Sequence, residues 1–214
     1  MKMKSSQLFR NKGLLAVLLA ASVLTACSDD DDDDPAPVAP PVENEEEVIT
    51  SVELIFTNDN DSNDVVRAKA VDPDGEGVQE LAVLDDVVLD TGKTYTLTFE
   101  ILSALDSTDI EDIGEEIEEE DDEHQIFFAF TNNAFADPIG DGNIDNFADA
   151  VNYNDRDDDG NPVGLSTTWE TSAATLMDGE FRVRLMHQPD IKSATTTAQD
   201  GEDDFDLTFD LDIQ

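Results

Sequence analysis

The residues best suited to chemistry lie in one loop, Asp155-Arg156-Asp157-Asp158-Asp159-Gly160-Asn161-Pro162-Val163-Gly164. Asp155, Asp157 and Asp159 alternate, so three carboxylates can converge while Gly160 takes a sharp turn. The Asn161 carbonyl follows as a further oxygen. Hard oxygen donors at this spacing suit Ca2+, the one cofactor the sequence suggests. The loop is not an EF-hand, since Ser166 stands at its twelfth position. The remaining acid would have to come from elsewhere in the fold. The competing reading is a metal-free acidic turn, which a chain with 53 Asp+Glu readily produces. Asp72-Pro73-Asp74-Gly75 is a weaker version, with Ala70 where Asp155 would stand. Asp59–Asp64 and Asp141–Asp145 read as solvated turns.

Other chemistry is sparse. His124 and His187 invite a zinc reading with nearby acids, but they share no local metal-binding spacing, so a structural role beside a strand is expected. Trp169 is in phase with Leu165, Thr167 and Thr171, which predicts core packing; the alternative is an exposed platform for a sugar ring. The chain contains no GxSxG, phosphate loop, HExxH or CxxC. No catalytic residue is assigned, and the protein is expected not to be an enzyme.

Charge and the single cysteine speak to location. The 214 residues carry 53 Asp+Glu against 11 Lys+Arg, a net charge of −42, which argues against a nucleic-acid partner. Lys2, Lys4, Arg10 and Lys12 precede an apolar run from Gly13 to Ala21, followed by Leu24-Thr25-Ala26-Cys27. Residues 1–26 therefore read as a signal peptide too short to span a bilayer. Small residues before the only thiol match a lipobox and predict lipidation of Cys27, with a membrane as partner through acyl chains. Residues 27–47 form an acidic, Pro-rich tether, including the run Asp29 to Asp34. Like-charge repulsion and polyproline II keep it extended, reaching up to roughly 60 Å. An Asp run after the anchor predicts display at the outer-membrane surface; a spacer on a periplasm-facing lipoprotein is the alternative.

The loops must be carried by strands. Phe205, Leu207, Phe209, Leu211 and Ile213 alternate with Asp204, Asp206, Thr208, Asp210 and Asp212, one apolar face against one acidic face. Similar alternation marks Val48–Phe56, Val65–Val71, Tyr95–Ile101, Gln125–Phe130, Phe147–Tyr153, Leu165–Thr171 and Phe181–His187, with a less regular strand within 79–89. Ile110, Ile113 and Ile117 predict a short acidic helix over 109–121, capped by Thr108 and Glu111; an irregular connector is the alternative. Residues 48–214 thus predict a mainly β body, an antiparallel β-sandwich of Ig-like form or of two paired half-sandwiches. The turn pattern admits an internal duplication of halves 48–105 and 124–214.

The lipobox with its Asp run, the stretch ending Glu123-His124-Gln125, the Asp155–Gly164 loop and Met186-His187-Gln188-Pro189 together resemble a group of uncharacterised acidic surface lipoproteins of the Bacteroidetes. The resemblance covers nearly the whole chain and implies location and architecture, with no activity attached. Two labels given within that group, a type 1 periplasmic binding fold and a GTP cyclohydrolase, find no support in these residues. The first needs repeated βαβ units, and the second needs Cys and His ligands. The expected function is a non-enzymatic binding or envelope-interaction module. A glycan- or nutrient-binding accessory protein of an uptake system and a secreted hydrolase are the alternatives.

Overall fold

Alternation along the chain becomes two faces in space. In β1 (Ser51–Asn58) Val52, Leu54 and Phe56 are fully buried, while the residues between them are half-exposed. Side chains of a strand point alternately to opposite faces, so a period-two sequence buries one face and leaves the other to water. The computed structural model describes residues 48–72, 81–106 and 108–214, all in one compact unit. Cys27, the Asp29–Asp34 run, the tether and Asp74 lie outside the described residues.

The other elements are β2 (Asp61–Val71), β3 (Ala82–Val83), β4 (Val87–Leu89), β5 (Thr94–Asp106), β6 (Asp109–Asp112), α1 (Ile113–Glu119), β7 (His124–Phe130), β8 (Phe135–Asp137), β9 (Ser166–Thr171), β10 (Leu176–His187) and β11 (Glu202–Ile213). One sheet runs β3-β2-β1-β5-β9-β8, with β6 beside β5, and the second runs β4-β11-β10-β7. All of these pairings are antiparallel except that of β4 with β11. The expected mainly β, sandwich-like fold is present, and among the described residues no helix is long and apolar enough to cross a membrane.

A single apolar core joins the inner faces of both sheets. Trp169 is fully buried at its centre, with the rings of Phe128, Phe130, Phe135 and Phe181 at 5.3, 5.4, 4.8 and 5.0 Å. Three of these pairs are edge-on and that with Phe135 is tilted, and aromatic pairs of this kind add about 0.5–1.5 kcal/mol each beyond area burial. The indole N–H donates to Thr167 Oγ1 at 2.7 Å, so the one polar atom of the ring is satisfied. Trp169 is a core residue, and no sugar reaches it.

Three expectations change in detail. Residues Asp109–Asp112 pair with β5 as a strand, and α1 starts only at Ile113. The cap is Asp112, whose side chain accepts from Glu115 N; Thr108 instead bonds the Asp106 carboxylate. Ile113 and Ile117 still face the core, as the spacing requires. Phe147–Tyr153 is not a strand. Asn146 accepts from Asp149 N and its side chain bonds the Asp149 carboxylate, closing a turn that leaves Phe147 half-exposed. The strands of the two halves interleave, with β9 against β5 and β4 against β11.

The outer edge of β7 is closed without another strand. Ile126 N donates to Val163 O, Phe128 N to Asn143 Oδ1 and Phe130 N to Asp141 O. An edge satisfied in this way offers no template for further pairing. The covering loops also bury Phe127, Ile144, Met186 and Ala198 in a small second core on the outward face of that sheet.

Gly142 sits in this cover at φ +92, where a Cβ would collide with the Phe128 carbonyl. Gly160 has a similar φ of +88 but open space around it. Gly142→Ala should therefore lower stability by about 2–4 kcal/mol, and Gly160→Ala by only about 1 kcal/mol. Urea unfolding midpoints check this, and equal losses would remove the steric role assigned to the β7 cover.

Candidate functional site

The Asp155 loop is a short excursion between Tyr153 and Thr167, which form an isolated bridge at its base. Within it Asp157 N donates to Asn161 O at 3.0 Å, and Asn161 N returns a bond to Asp157 Oδ1 at 2.7 Å. The Asn161 side-chain amide donates to Asp157 Oδ2 at 3.1 Å. Asp155 accepts Gly164 N on Oδ1 and Ser166 N on Oδ2, at 2.9 and 3.0 Å. Asp159 is exposed. The oxygens expected to hold Ca2+ at Asp155, Asp157 and Asn161 are thus engaged by the chain's own donors.

A cation does stand at Asp157. Lys192 Nζ lies 3.1 Å from Asp157 Oδ2, with both side chains essentially without solvent access, and it also donates to the Asp121 carbonyl. Burial pushes the Asp157 carboxyl up, but the Asn161 bonds and the ammonium outweigh it and hold it below its ordinary value. Burial lowers the Lys192 ammonium against the pull of Asp157. A buried pair of this kind is destabilising when one partner is removed, because the other remains charged without compensation. Asp72, half-buried, follows β2 and donates its N–H to Thr50 O.

The two histidines meet at the end of the second sheet. His124 and His187 lie opposite each other across β7 and β10, and their rings stack at 4.5 Å with an interplanar angle of 2°. His187 Nε2 is 3.5 Å from Glu123 Oε2, and His124 Nε2 is 3.9 Å from Asp204 Oδ2. Asp204 reaches this place through a β-bulge: Leu185 faces Phe205 and Met186 faces Asp203, so Asp204 is the extra residue. A bulge re-aims the side chain it inserts, and that of Asp204 is wholly buried. Among the described residues no three His, Cys, Asp or Glu side chains come together in a group that could hold a metal ion.

No family model, curated protein or solved structure matches this chain. The properties of the site therefore rest on its own geometry.

Sequence reading missed Lys192 and the inward turn of Asp204. The signal for Lys192 was its scarcity, since only seven cations follow Cys27. Arg67, Lys93, Arg182, Arg184 and Lys192 each lie within 4.0 Å of a carboxylate. The strict alternation of 204–213 placed Asp204 on the acidic face, and a bulge leaves no mark in such a pattern.

Two predictions follow from these contacts. In the intact protein CaCl2 and NaCl at matched ionic strength should raise the melting temperature equally, by screening alone. Lys192→Met should cost about 3–5 kcal/mol, and CaCl2 should recover part of that loss where NaCl does not. A calcium-specific rise in the unsubstituted protein would instead support the metal reading of the loop. The second concerns His124. Its Nδ1 faces the Glu120 carbonyl at 3.2 Å and must donate, since a carbonyl only accepts. Burial lowers its pKa from 6.5 to about 4, and Asp204 is too distant for a hydrogen bond that would restore it. The folded form then binds fewer protons than the unfolded chain between those values. Stability from the neutral ring is intact above pH 6.5 and falls by about 3 kcal/mol as pH drops toward 4. An NMR titration of the His124 ring should give a midpoint near 4, and His124→Gln should flatten this part of the pH profile.

Proposed function

We propose that the protein is a lipid-anchored outer-membrane surface protein whose acidic β-sandwich acts as a non-enzymatic binding module. The observation that carries this reading is the only cysteine of the chain, Cys27, directly after Leu24-Thr25-Ala26 and two residues before six consecutive Asp. A thiol in that context accepts a lipid, and several acyl chains make a lasting anchor at about 0.8 kcal/mol per buried CH2. The acidic, Pro-rich tether then holds the body clear of the bilayer, where a strongly negative surface discourages non-specific association with anionic partners. The covered outer edge of β7 also favours a discrete module over lateral strand exchange.

The anchor and the display are tested separately. Cys27→Ala should abolish incorporation of radiolabelled palmitate and move the protein from the membrane to the soluble fraction. Replacing Asp29 to Asp34 with Asn should keep the lipid but protect the body from protease added to intact cells. Membrane attachment that survives Cys27→Ala defeats the anchor, and unchanged protease trimming reduces the Asp run to a spacer.

A further inference from the structure

One cleft breaks the loop cover over the outward face of the second sheet. Its volume is about 230 Å3, and its lining includes Gln125 of β7, Phe147, Asp149, Arg156, Ser193 and Thr196. Part of this lining is fixed. Asn143 accepts Phe128 N and donates to the Tyr153 hydroxyl, which donates to Ile126 O, and Gln125 also bonds that hydroxyl. Polar groups fixed by packing and mutual bonds are the kind that bind without reordering.

Arg156 is the unusual member. Four acids flank it in sequence, yet among the described residues no carboxylate lies within 4.0 Å of its guanidinium. Among the described residues its guanidinium makes one hydrogen bond, from Nη1 to Gly160 O at 3.1 Å, which leaves Nε and Nη2 as donors. Among the described residues the Asp149 carboxylate bonds only Asn146, through Oδ1, which leaves Oδ2 as an acceptor. Phe147 is the exposed aromatic of the body, at 49% exposure. A donor fork, an acceptor and an aromatic face thus line one small cavity. An adjoining cleft of about 300 Å3 shares Arg156, but its other polar side chains are Glu118, Asp121, Asp155 and Ser166, and it has no ring.

We propose that the 230 Å3 cleft binds a single neutral, hydroxyl-rich ring, such as one hexose unit. Asp149 and the negative surface oppose an anion, and Arg156 opposes a cation. A hydroxyl serves both, accepting from the guanidinium and donating to the carboxylate, while the apolar C–H face of the ring covers Phe147. The volume lies below the ~300 Å3 typical of the smallest drug-sized sites, a size that suits one ring. This inference supplies a ligand class for the binding module proposed above and rests on that reading; its test uses purified protein and so does not depend on the anchor.

The experiment is an NMR titration of the uniformly 15N-labelled protein with D-glucose, D-galactose and D-mannose, and with D-glucuronate and D-glucosamine as charged counterparts. At least one neutral hexose should shift the amides of Phe147, Asp149 and Arg156 saturably, with a Kd on the order of 1 mM. The charged counterparts should bind at least about tenfold more weakly. Phe147→Ala and Arg156→Gln, both at exposed positions, should each weaken binding about tenfold while leaving the remaining spectrum folded. The proposal is overturned if no neutral hexose moves these amides, if the charged sugars bind as well, or if both variants bind unchanged. Failure here would leave the anchoring results standing, and binding by a protein that proves not to be surface-displayed would leave the cleft standing.

Discussion

Carboxylates in this excess are tolerated only where water reaches them, and that constraint shapes the whole body. With 53 Asp+Glu against 11 Lys+Arg, no arrangement of ion pairs could neutralise the chain. The sequence separates the problem by parity. In the long strands β1, β5 and β11, polar residues, many of them acids, take most outward positions and apolar residues the inward ones, so each is half solvated and half buried. β11 shows this most plainly, with Phe205, Leu207, Phe209, Leu211 and Ile213 all buried and the residues between them largely exposed. Two sheets of this kind can only close face to face, and the aromatic cluster around Trp169 is what their closure traps.

The interest of the molecule lies where acids escape that rule. Asp157 is buried because Lys192 comes from a distant loop to meet it, and the contact fastens that loop to the turn after α1 through the Asp121 carbonyl. Asp204 is buried because a bulge turns it inward beside His124. One place is a loop and the other a bulge, both outside the regular alternation of a strand. Arg156 is the converse case, a cation with no carboxylate of the described residues within 4.0 Å in a chain rich in them. Where charges are so unequal, an unused arginine is more informative than any single acid.

What could be read in advance follows from which forces act locally. β1, β5, β9 and β11 were legible because one face of each meets water, so burial writes itself into the sequence every second residue. The edge of β7 was less so: five of its seven residues in succession are buried, because loops cover its outward face as well. The apolar run 147–153 looked like another strand, but the side chain of Asn146 closes a turn first. α1 was legible through Ile113 and Ile117, which pack on the core, while its first turn was lost to pairing with β5. The Asp155 loop was found as a cluster of oxygens. Its actual donors, the backbone N–H groups of Gly164 and Ser166 and the ammonium of Lys192, have no spacing that a linear pattern could display.

The position of β1 has a mechanical consequence. It is the first strand of the body, yet it sits inside its sheet, hydrogen-bonded from Ser51 to Asn58 on one side to β2 and on the other to β5. A body held from its N-terminal side receives any pull at the start of this strand. If tension runs along β1, it loads both ladders in shear, so that their bonds must fail together and not one after another as in an unzipped hairpin. Drag from flow or from a moving neighbour would then meet its greatest resistance at the point where it first enters the fold.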